Sequence, residues 1–356
     1  MSARSRDRRV YLGSHPILFA LLAAARRRPA QRLGGTLLVH DPEAFTAALT
    51  RIGLDRTAEG TTGGAAGRLA GGDLLFDQHG EAHRQARRDL ADRLGAAGVA
   101  RLRPIWTELL DRRLKPLADG DPVDLVPLAA ELAGTTTAAL LDLDTDAHEL
   151  AAAAREAASA AARAHLPGPR RRRAEARARE AAARLSALVS PGGGLATMLA
   201  VAAVNTTVAA LPRAAAWAAD ANLWGYAGSP ALADELLRVI APTPLLPRVA
   251  AAPGVLPVRG GSGGCPVRAG DRMLLVARHA VDAPRRDPDP ESPAPAWIAQ
   301  LVFGVGAHAC PGARLARVQL ADLLLALAPF RPVVLRARVD RRAALPGWRS
   351  LIVRPS

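Results

Sequence analysis

The sequence has few of the residues that cross-link a chain or stack against flat ligands. Only 2 of its 356 residues are cysteines, aromatic residues make up 3% of it, and Lys115 is its single lysine. Two cysteines cannot build a disulfide framework, so a small disulfide-stapled scaffold is excluded. Because 49% of the residues are apolar, the chain can bury a substantial core, and we interpret residues 1–356 as one domain.

The scarcity of lysine leaves the positive charge to arginine. The net charge is +14, and the arginines are spread along the chain instead of being gathered beside aromatic residues. Nucleic-acid binding is indicated by a basic patch with stacking aromatics, which this pattern lacks. We therefore predict no nucleic-acid partner, whereas an acidic protein partner is compatible with a basic surface.

The apolar run near the N-terminus is short. It extends from Ile17 to Ala25, which is too few residues to span a bilayer. Basic residues precede it, as in a signal peptide, but it ends in the arginines 26–28 and not at the start of a mature secreted domain. We predict an amphipathic first helix, a cytoplasmic location and no membrane partner.

Most of the remaining pattern is typical of helices. A short strand precedes a helix start at Asp41-Pro42, and short strands are predicted between Leu246 and Ala280 and at the C-terminus. We predict a mainly α fold with a minor antiparallel β-sheet. The predicted helices cover residues 80–94, 124–141, 147–188 with a break at 165–173, 192–224 and 230–241, and the one after Cys310 extends to about Leu327.

One of the two cysteines has an unusual frame. It lies in FGVGAHACPGARLAR, residues 303–317, which we call the Cys loop. Pro311 suits the first position of a helix, which would place Cys310 at a helix N-terminus where the dipole favours a thiolate. Glycines leave the backbone bare, so that a flat ligand can come close. These glycines are Gly304, Gly306 and Gly312.

The energetics of the Cys310 thiol separate its possible roles. A free thiol titrates near ~8.5, so ionisation at neutral pH needs roughly 2 kcal/mol, whereas a helix end supplies about 0.3–1 kcal/mol. A nucleophile would need a base, and His308 is two residues away. A metal would deprotonate the thiol outright, although a lone thiolate disfavours zinc and iron–sulfur centres. From the residues alone both roles stay open, and a haem iron needs no second protein sulfur.

The Cys loop resembles the haem-ligand loop of the cytochrome P-450 family, Phe-Gly-x-Gly-x-His-x-Cys-x-Gly-x-x-Leu-Ala, at every defined position. Other family motifs follow in order. ELLR supplies the helix pair Glu235 and Arg238, GEAHRQAR places His83 and Arg87 one turn apart, and PTPLLPR ends in Arg248. AAVNTT lies where the central helix of the family carries its oxygen-activating motif. The resemblance covers nearly the whole chain, although bacterial members are usually longer.

This resemblance implies a role for each motif. Cys310 would be the axial ligand of haem b, held between the central helix and the Cys-ligand helix, and Phe303 would shield its sulfur. Four basic residues would hydrogen-bond the two propionates. Glu235 and Arg238 would be structural, with Arg285 or Arg286 a poor match to the family's third partner. The implied cofactor-binding set is His83, Arg87, Ala202, Ala203, Arg248, Phe303, Gly304, His308, Cys310 and Gly312, and the four propionate partners in it are His83, Arg87, Arg248 and His308.

The central motif departs from the family at one informative position. Thr206 would face the oxygen and order a proton-carrying water, so we predict Thr206 and Asn205 as catalytic residues. The family position of Asn205 is usually Asp or Glu, whereas an amide does not titrate. Ala203 replaces the usual glycine. The alternatives are that NTT is a polar spot in a buried helix, or that the register is shifted by one residue.

The resemblance implies O2-dependent monooxygenation with electrons from a separate ferredoxin or similar donor. The substrate would be a small, natural-product-like organic molecule, either free or bound to a carrier protein. Lining segments would be residues 71–76, 150–189, 202–206 and 245–250. Asn205 motivates an alternative haem-thiolate chemistry, such as oxidative coupling, N-oxidation, dehydration or peroxide-driven turnover. A second alternative is a non-catalytic, partner-activating homologue, which the intact Cys loop disfavours.

Overall fold

The computed structural model describes residues 1–64, 67, 75, 77–78, 80–164, 171–190, 192–258 and 264–356. Helices dominate these residues, as predicted. The helices are α1 (Ala3–Ser14), α2 (Pro16–Ala25), α3 (Pro42–Thr50), α4 (Gly80–Leu94), α5 (Ala96–Ala118), α6 (Leu125–Leu140), α7 (Ala147–Ala164), α8 (Arg171–Leu188), α9 (Gly193–Asp220), α10 (Pro230–Ile240), α11 (Ala277–Ala280), α12 (Ala296–Gln300) and α13 (Ala313–Leu327).

The strands form three small sheets. The largest has the order β1-β2-β8-β5-β3, the second β4-β10-β9, and β6 pairs with β7. All pairings in the described residues are antiparallel except β2 with β8, which is parallel and refines the predicted antiparallel sheet. The strands are β1 (Ala30–Leu33), β2 (Thr36–Val39), β3 (Leu54–Asp55), β4 (Val123–Asp124), β5 (Leu246–Ala250), β6 (Gly254–Leu256), β7 (Cys265–Val267), β8 (Arg272–Leu275), β9 (Val333–Val339) and β10 (Trp348–Arg354).

Local sequence explains several helix starts. The Asp41 carboxylate accepts the N–H groups of Glu43 and Ala44 at 2.9 and 3.1 Å, and Pro42 occupies the first turn of α3. Asp124 caps α6 in the same way, accepting the N–H of Val126 at 3.0 Å. A short polar side chain at this position satisfies N–H groups that have no partner inside the helix. The predicted helix start at Asp41-Pro42 is confirmed.

Helix α5 was not predicted, because Pro104 and Pro116 resemble breaks in the sequence. Its buried side chains nevertheless recur with helical spacing, and Trp106, Leu110 and Leu114 are at most 2% exposed. The helix packs against α4, α6 and α13. It therefore carries part of the frame that supports the Cys-ligand helix.

The central helix is α9, which is largely buried and packs against α6, α7 and α13. It continues through Pro212 to Asp220. Among the described helices α9 is the one long and apolar enough to cross a membrane by length and composition. However, 56% of its most apolar window is buried inside the protein. The prediction of a long, mostly apolar helix in this region is confirmed.

A buried ionic cluster attaches α1 to this central helix. The Arg213 guanidinium lies 2.5 Å from the Asp7 carboxylate, and Arg278 approaches the same carboxylate at 3.0 Å. Both guanidinium groups also lie over the ring of Tyr11, at 4.6 and 3.8 Å from its centroid. One carboxylate on α1 thus faces two cations of the core, and loss of a partner from such a buried cluster is costly. The cluster therefore attaches α1 to the core.

Candidate functional site

The Cys loop is a tight turn that depends on two glycines. Gly304 and Gly306 have φ angles of +72° and +77°, a conformation that L side chains rarely adopt. The N–H of Cys310 donates to the carbonyl of Phe303 at 2.7 Å, which closes the loop. A Cβ at Gly312 would lie 3.8 Å from the Cys310 sulfur. The backbone around the sulfur is thus held in place with little side-chain bulk on either side.

The prediction that Pro311 begins the following helix was wrong. Helix α13 starts at Ala313 with Gly312 as its cap, and Pro311 lies in the turn before it. Cys310 is therefore farther from the helix end than the sequence suggested. The thiol also counts as exposed by surface area, yet protein surrounds it closely enough to desolvate it. A side chain that lines a recess has both properties.

Burial decides the protonation state of this thiol in the protein alone. Desolvation raises the pKa of Cys310, and it outweighs the lowering by the Gly312 N–H and by the charges of Arg87 and Arg317. The expected preference for a thiolate at a helix end is thus overcome by desolvation. A metal cation would reverse this balance, because a coordinating thiol loses its proton outright.

Basic residues from distant segments meet at the Cys loop. Arg87 on α4 donates to the carbonyl of Ala309 at 2.8 Å, and the rings of His83 and His308 stack with centroids 3.9 Å apart. His83 is buried. The helical spacing of His83 and Arg87 therefore brings both residues to the Cys loop.

Arg317 is a further cation at the Cys loop, and it contacts three other side chains. Arg317 lies over the ring of Phe303 with its guanidinium carbon 4.5 Å from the centroid, and its Nε is 2.5 Å from the Asp234 carboxylate. Arg317 also donates to the side chain of Gln300 at 3.1 Å. These contacts connect the Phe303 ring through Arg317 to α10, and the shielding of the sulfur by that ring stays a prediction.

Arg248 on β5 is half-buried, with an inaccessible Nε, and has no anionic partner among the described residues. It donates to the Pro247 carbonyl at 2.8 Å, and its Nε has no hydrogen-bond partner there. Desolvation, aided by the charge of Arg56, lowers the pKa of Arg248 to about 10. Desolvation also lowers the pKa of Arg56 to about 10. Two partly desolvated cations beside each other favour an anion between or next to them.

Sequence reasoning missed Arg56. The pairing of β3 with β5 places Asp55 opposite Val249, so the next residue, Arg56, comes close to Arg248. No signal in the Arg56 segment alone could have revealed this, because β3 is only two residues long. The residues of the site fit a haem, since a lone thiol stands with partly desolvated cations that would meet two propionates.

The catalytic candidates lie in α9 at residues 201–207, which are half-buried apart from the buried Val204, within an otherwise mainly buried helix. Thr206 Oγ1 donates to the carbonyl of Ala202 at 2.8 Å. Asn205 Nδ2 donates to the carbonyls of Val201 at 2.8 Å and Ala154 at 3.1 Å. The Asn205 amide thus connects α9 to α7, a structural role that sequence reasoning did not foresee. Ala203 lies in the same half-buried stretch.

Glu235 and Arg238 form a buried pair at 2.7 and 2.8 Å, with both side chains at most 1% exposed. Burial would raise the pKa of Glu235, but hydrogen bonds from Arg238 and from the Ala294 N–H leave it below its ordinary value. The N–H of Asp289 also donates to this carboxylate at 3.1 Å. The pair therefore anchors the irregular loop before α12, as the structural interpretation implied.

Neither candidate arginine completes this pair with its guanidinium. Arg238 donates instead to the backbone carbonyls of Val281, Arg286 and Asp287 at 3.1 to 3.2 Å. The Arg286 side chain donates to the Ser292 carbonyl, and Arg285 lies 3.8 Å from the Asp282 carboxylate. Backbone groups of the loop take the place of a third charged partner.

The predicted substrate-lining segments are only partly described. Of residues 71–76 the structure describes Leu75, which is buried, and residues 165–170 lie outside the described residues. The segment 245–250 contains the whole of β5. Helices α7 and α8 pack against each other and against α9, with many small side chains in between. The lining by α7 and α8 stays a prediction.

No family model and no curated protein matches the chain. Solved structures do. They include P450BioI in complex with an acyl carrier protein ligated to hexadec-9Z-enoic acid (TM-score 0.74, 18% identity, 97% of this chain and 99% of that one). CYP175A1 from Thermus thermophilus superposes with a TM-score of 0.75 at 22% identity, over 97% of this chain and 96% of that one. The chain has the cytochrome P-450 fold.

Proposed function

We propose that this protein is a haem-thiolate oxidoreductase that performs O2-dependent monooxygenation. The observation that carries the proposal is the Cys loop, where a lone thiol stands among sequence-distant cations on the fold described above. Cys310 would bind the iron, and Arg87, Arg248, His83 and His308 would bind the propionates. A haem held in this way would supply the activation of dioxygen at its iron.

The chain's own residues set the surroundings of the sulfur. The Gly312 N–H and the charges of Arg87 and Arg317 favour the thiolate over the thiol. Phe303, held by Arg317, covers one side of the loop and limits the approach of water. Arg56 joins Arg248 as a propionate partner in this proposal, because two half-buried cations would each then have a carboxylate.

Thr206 would hold a proton-carrying water on the opposite side of the site. Its hydroxyl donates its own hydrogen to Ala202, which leaves the oxygen lone pairs to accept a hydrogen bond from that water. Asn205 has its amide N–H groups engaged by two carbonyls and therefore orients α9 beside α7. Position 205, directly after Ala203 and Val204, therefore carries no titratable group that could relay a proton. This favours the alternative haem-thiolate chemistry as the second candidate function.

Electrons would come from a ferredoxin or a similar acidic donor. Helix α4 turns Arg87 toward the Cys loop and exposes Arg84 and Arg88, which share one carboxylate, Glu81, and Arg314 is exposed at the start of α13. A basic surface of this kind favours an acidic partner and speeds its encounter. Reversing the charge of Arg84, Arg88 and Arg314 together should slow reduction, and an unchanged rate would count against this docking face.

The substrate would be a small to mid-sized organic molecule. The small and aliphatic side chains of α7 and α9 offer an apolar surface for such a molecule. One structural neighbour was solved in complex with an acyl carrier protein, which supports a carrier-bound substrate as one form. The basic surface of this chain would also suit the acidic face of such a carrier.

Turnover with isotopically labelled O2 tests the proposal. Purified holoprotein, a ferredoxin, its reductase and a panel of apolar substrates should give a product that carries one labelled oxygen atom. Products without labelled oxygen, formed with consumption of O2 or peroxide, would instead support the alternative haem-thiolate chemistry. Absence of both turnover and substrate-induced spectral shifts would favour the non-catalytic homologue.

A further inference from the structure

Helix α2 has an exposed face without a single polar side chain. Its sequence is PILFALLAAA, and it buries only Phe19 and Leu22. Ile17 is 76%, Leu18 38% and Leu21 55% exposed. These residues and the exposed Ala24 share one side of a helix, at spacings of one, three and four residues. Exposed apolar surface that is contiguous, and not scattered singly, marks a contact site.

The chain segments that flank this helix are basic. Arg8 and Arg9 on α1 and Arg27 and Arg28 after α2 are exposed, and none of them has a carboxylate partner among the described residues. Arg26 ends α2, and desolvation together with the positive charges of Arg285, Arg8 and Arg278 lowers its pKa against the opposing charge of Asp282. The C-terminal end of α2 is therefore bordered by a net excess of positive charge.

A second copy of the chain and another protein are both poor partners for this apolar face with its basic border. A second copy would bring the same arginines into one interface, and each copy carries a net charge of +14. Ten residues of helix are also only about 15 Å long, which is too little for the ~800 Å² per partner of a stable interface. Another protein would need an apolar groove with an acidic rim, whereas an anionic bilayer has an apolar interior and negatively charged headgroups over its whole surface.

We propose that the α2 face is a peripheral binding site for anionic lipid bilayers. Ile17, Leu18 and Leu21 would enter the boundary between headgroups and acyl chains, with the helix lying in the plane of the surface. The arginines beside it would contact lipid phosphates, an attraction that is lost as salt rises. The sequence prediction of no membrane partner is revised by this proposal, which does not depend on haem binding.

Vesicle co-sedimentation of the purified full chain tests the site. Vesicles of phosphatidylcholine mixed with phosphatidylglycerol should retain the protein, and vesicles of phosphatidylcholine alone should retain much less. The variant Ile17→Gln/Leu21→Gln should bind the mixed vesicles about tenfold more weakly or worse, since two anchors are lost. The control Leu335→Gln changes another exposed leucine, 49% exposed on β9, and should bind as the wild type does.

A second pair of variants isolates the charge. Arg27→Gln/Arg28→Gln should weaken binding severalfold, whereas Arg172→Gln/Arg173→Gln removes the same charge from exposed positions on α8 and should leave binding nearly unchanged. Equal binding to neutral and anionic vesicles, or equal loss in both arginine variants, would overturn the proposal. So would concentration-dependent self-association that disappears in Ile17→Gln/Leu21→Gln. Circular dichroism melting confirms that each variant is folded.

Discussion

At the residue scale, Arg56 and Arg248 are the side chains whose environment best supports the proposed haem. Both guanidinium groups have a pKa lowered to about 10, because burial disfavours their charge and no carboxylate faces them among the described residues. Without an anion beside them, the desolvation of these two cations destabilises the folded chain. A dianionic ligand whose carboxylates meet both groups would turn the cost into charge-assisted hydrogen bonds.

Replacement of Arg56 separates haem binding from folding. The variant Arg56→Leu should lose haem about tenfold faster to an acceptor protein, since one charge-assisted hydrogen bond contributes about 1.5–3 kcal/mol. The haem-free form should be as stable as the wild type or more so, because a desolvated cation is gone. Arg51→Gln, at an exposed position nearby, is the control for both measurements. Haem loss from Arg56→Leu that is no faster than from the wild type would refute the role of Arg56.

The Asn205 amide stabilises the packing of α9 on α7, whereas an acid at this position could relay protons. In Asn205→Asp the carboxylate would face the carbonyls of Ala154 and Val201, which now accept the amide N–H groups. We expect a loss of about 1–3 kcal/mol in the free energy of unfolding. Asn222→Asp at an exposed turn should cost much less. Thermal melting measures both variants, and equal stability would contradict the anchoring role of the amide. A change in coupling of O2 use to product would reveal a further catalytic role.

The pair His40 and His279 predicts how stability depends on pH. Their Nδ1 atoms are 2.9 Å apart. Desolvation lowers the pKa of His40 to about 4, and desolvation together with the charges of His40 and Arg278 lowers that of His279 to about 3. The unfolded chain, with pKa values near ~6.5, binds more protons below that pH. The stability that these residues contribute is therefore complete above about pH 6.5 and is lost as the pH falls toward about 4.

Urea unfolding between pH 7 and pH 4 measures this slope. The wild type should lose stability at up to about 1.4 kcal/mol per pH unit for each of the two histidines over part of this range. His279→Gln should flatten the curve. His148→Gln, at a 58% exposed position on α7, should not. A curve in His279→Gln as steep as in the wild type would show that the pair does not set the acid limit.

At the scale of elements, the attachment of α1 to α9 depends on Asp7. The Asp7→Asn variant would leave Arg213, 1% exposed, and Arg278 with one buried charge partner fewer each. We expect a loss of about 3–5 kcal/mol, as is typical when one member of a buried ionic cluster is removed. Asp142→Asn breaks a pair between side chains 49% and 76% exposed and should cost under ~1 kcal/mol. Comparable losses in urea unfolding would contradict the anchoring role of Asp7.

The elements also show which parts of the fold could be predicted. Helix starts at Asp41 and Asp124 follow from side-chain capping, which is a local property and is readable in the sequence. Helix α5 was missed because Pro104 and Pro116 are breakers by propensity, whereas burial of Trp106 and its neighbours overrides that preference. The parallel pairing of β2 with β8 depends on contacts across more than half of the chain and leaves no local signal.

At the scale of the whole molecule, the fold brings together residues that belong to separate sequence motifs. The family resemblance predicted that Cys310, Arg248, His83 and Arg87 share one site. His83 and Arg87 do contact the Cys loop, and the cofactor-binding role of all four stays a prediction. Arg56 could not be predicted, because its place beside Arg248 comes from a two-residue strand pair. The third partner of Glu235 and Arg238 was equally hidden, since backbone groups take that position.

The carbon-monoxide difference spectrum of the reduced, haem-reconstituted chain tests the thiolate site most directly. The wild type should show the strongly red-shifted Soret band of a thiolate-ligated haem. Cys310→Ala should lose that band, while Cys265→Ala, which removes the other cysteine, should keep it. A chain that takes up no haem, or a Cys310→Ala spectrum identical to that of the wild type, would contradict the assignment of Cys310 as the iron ligand.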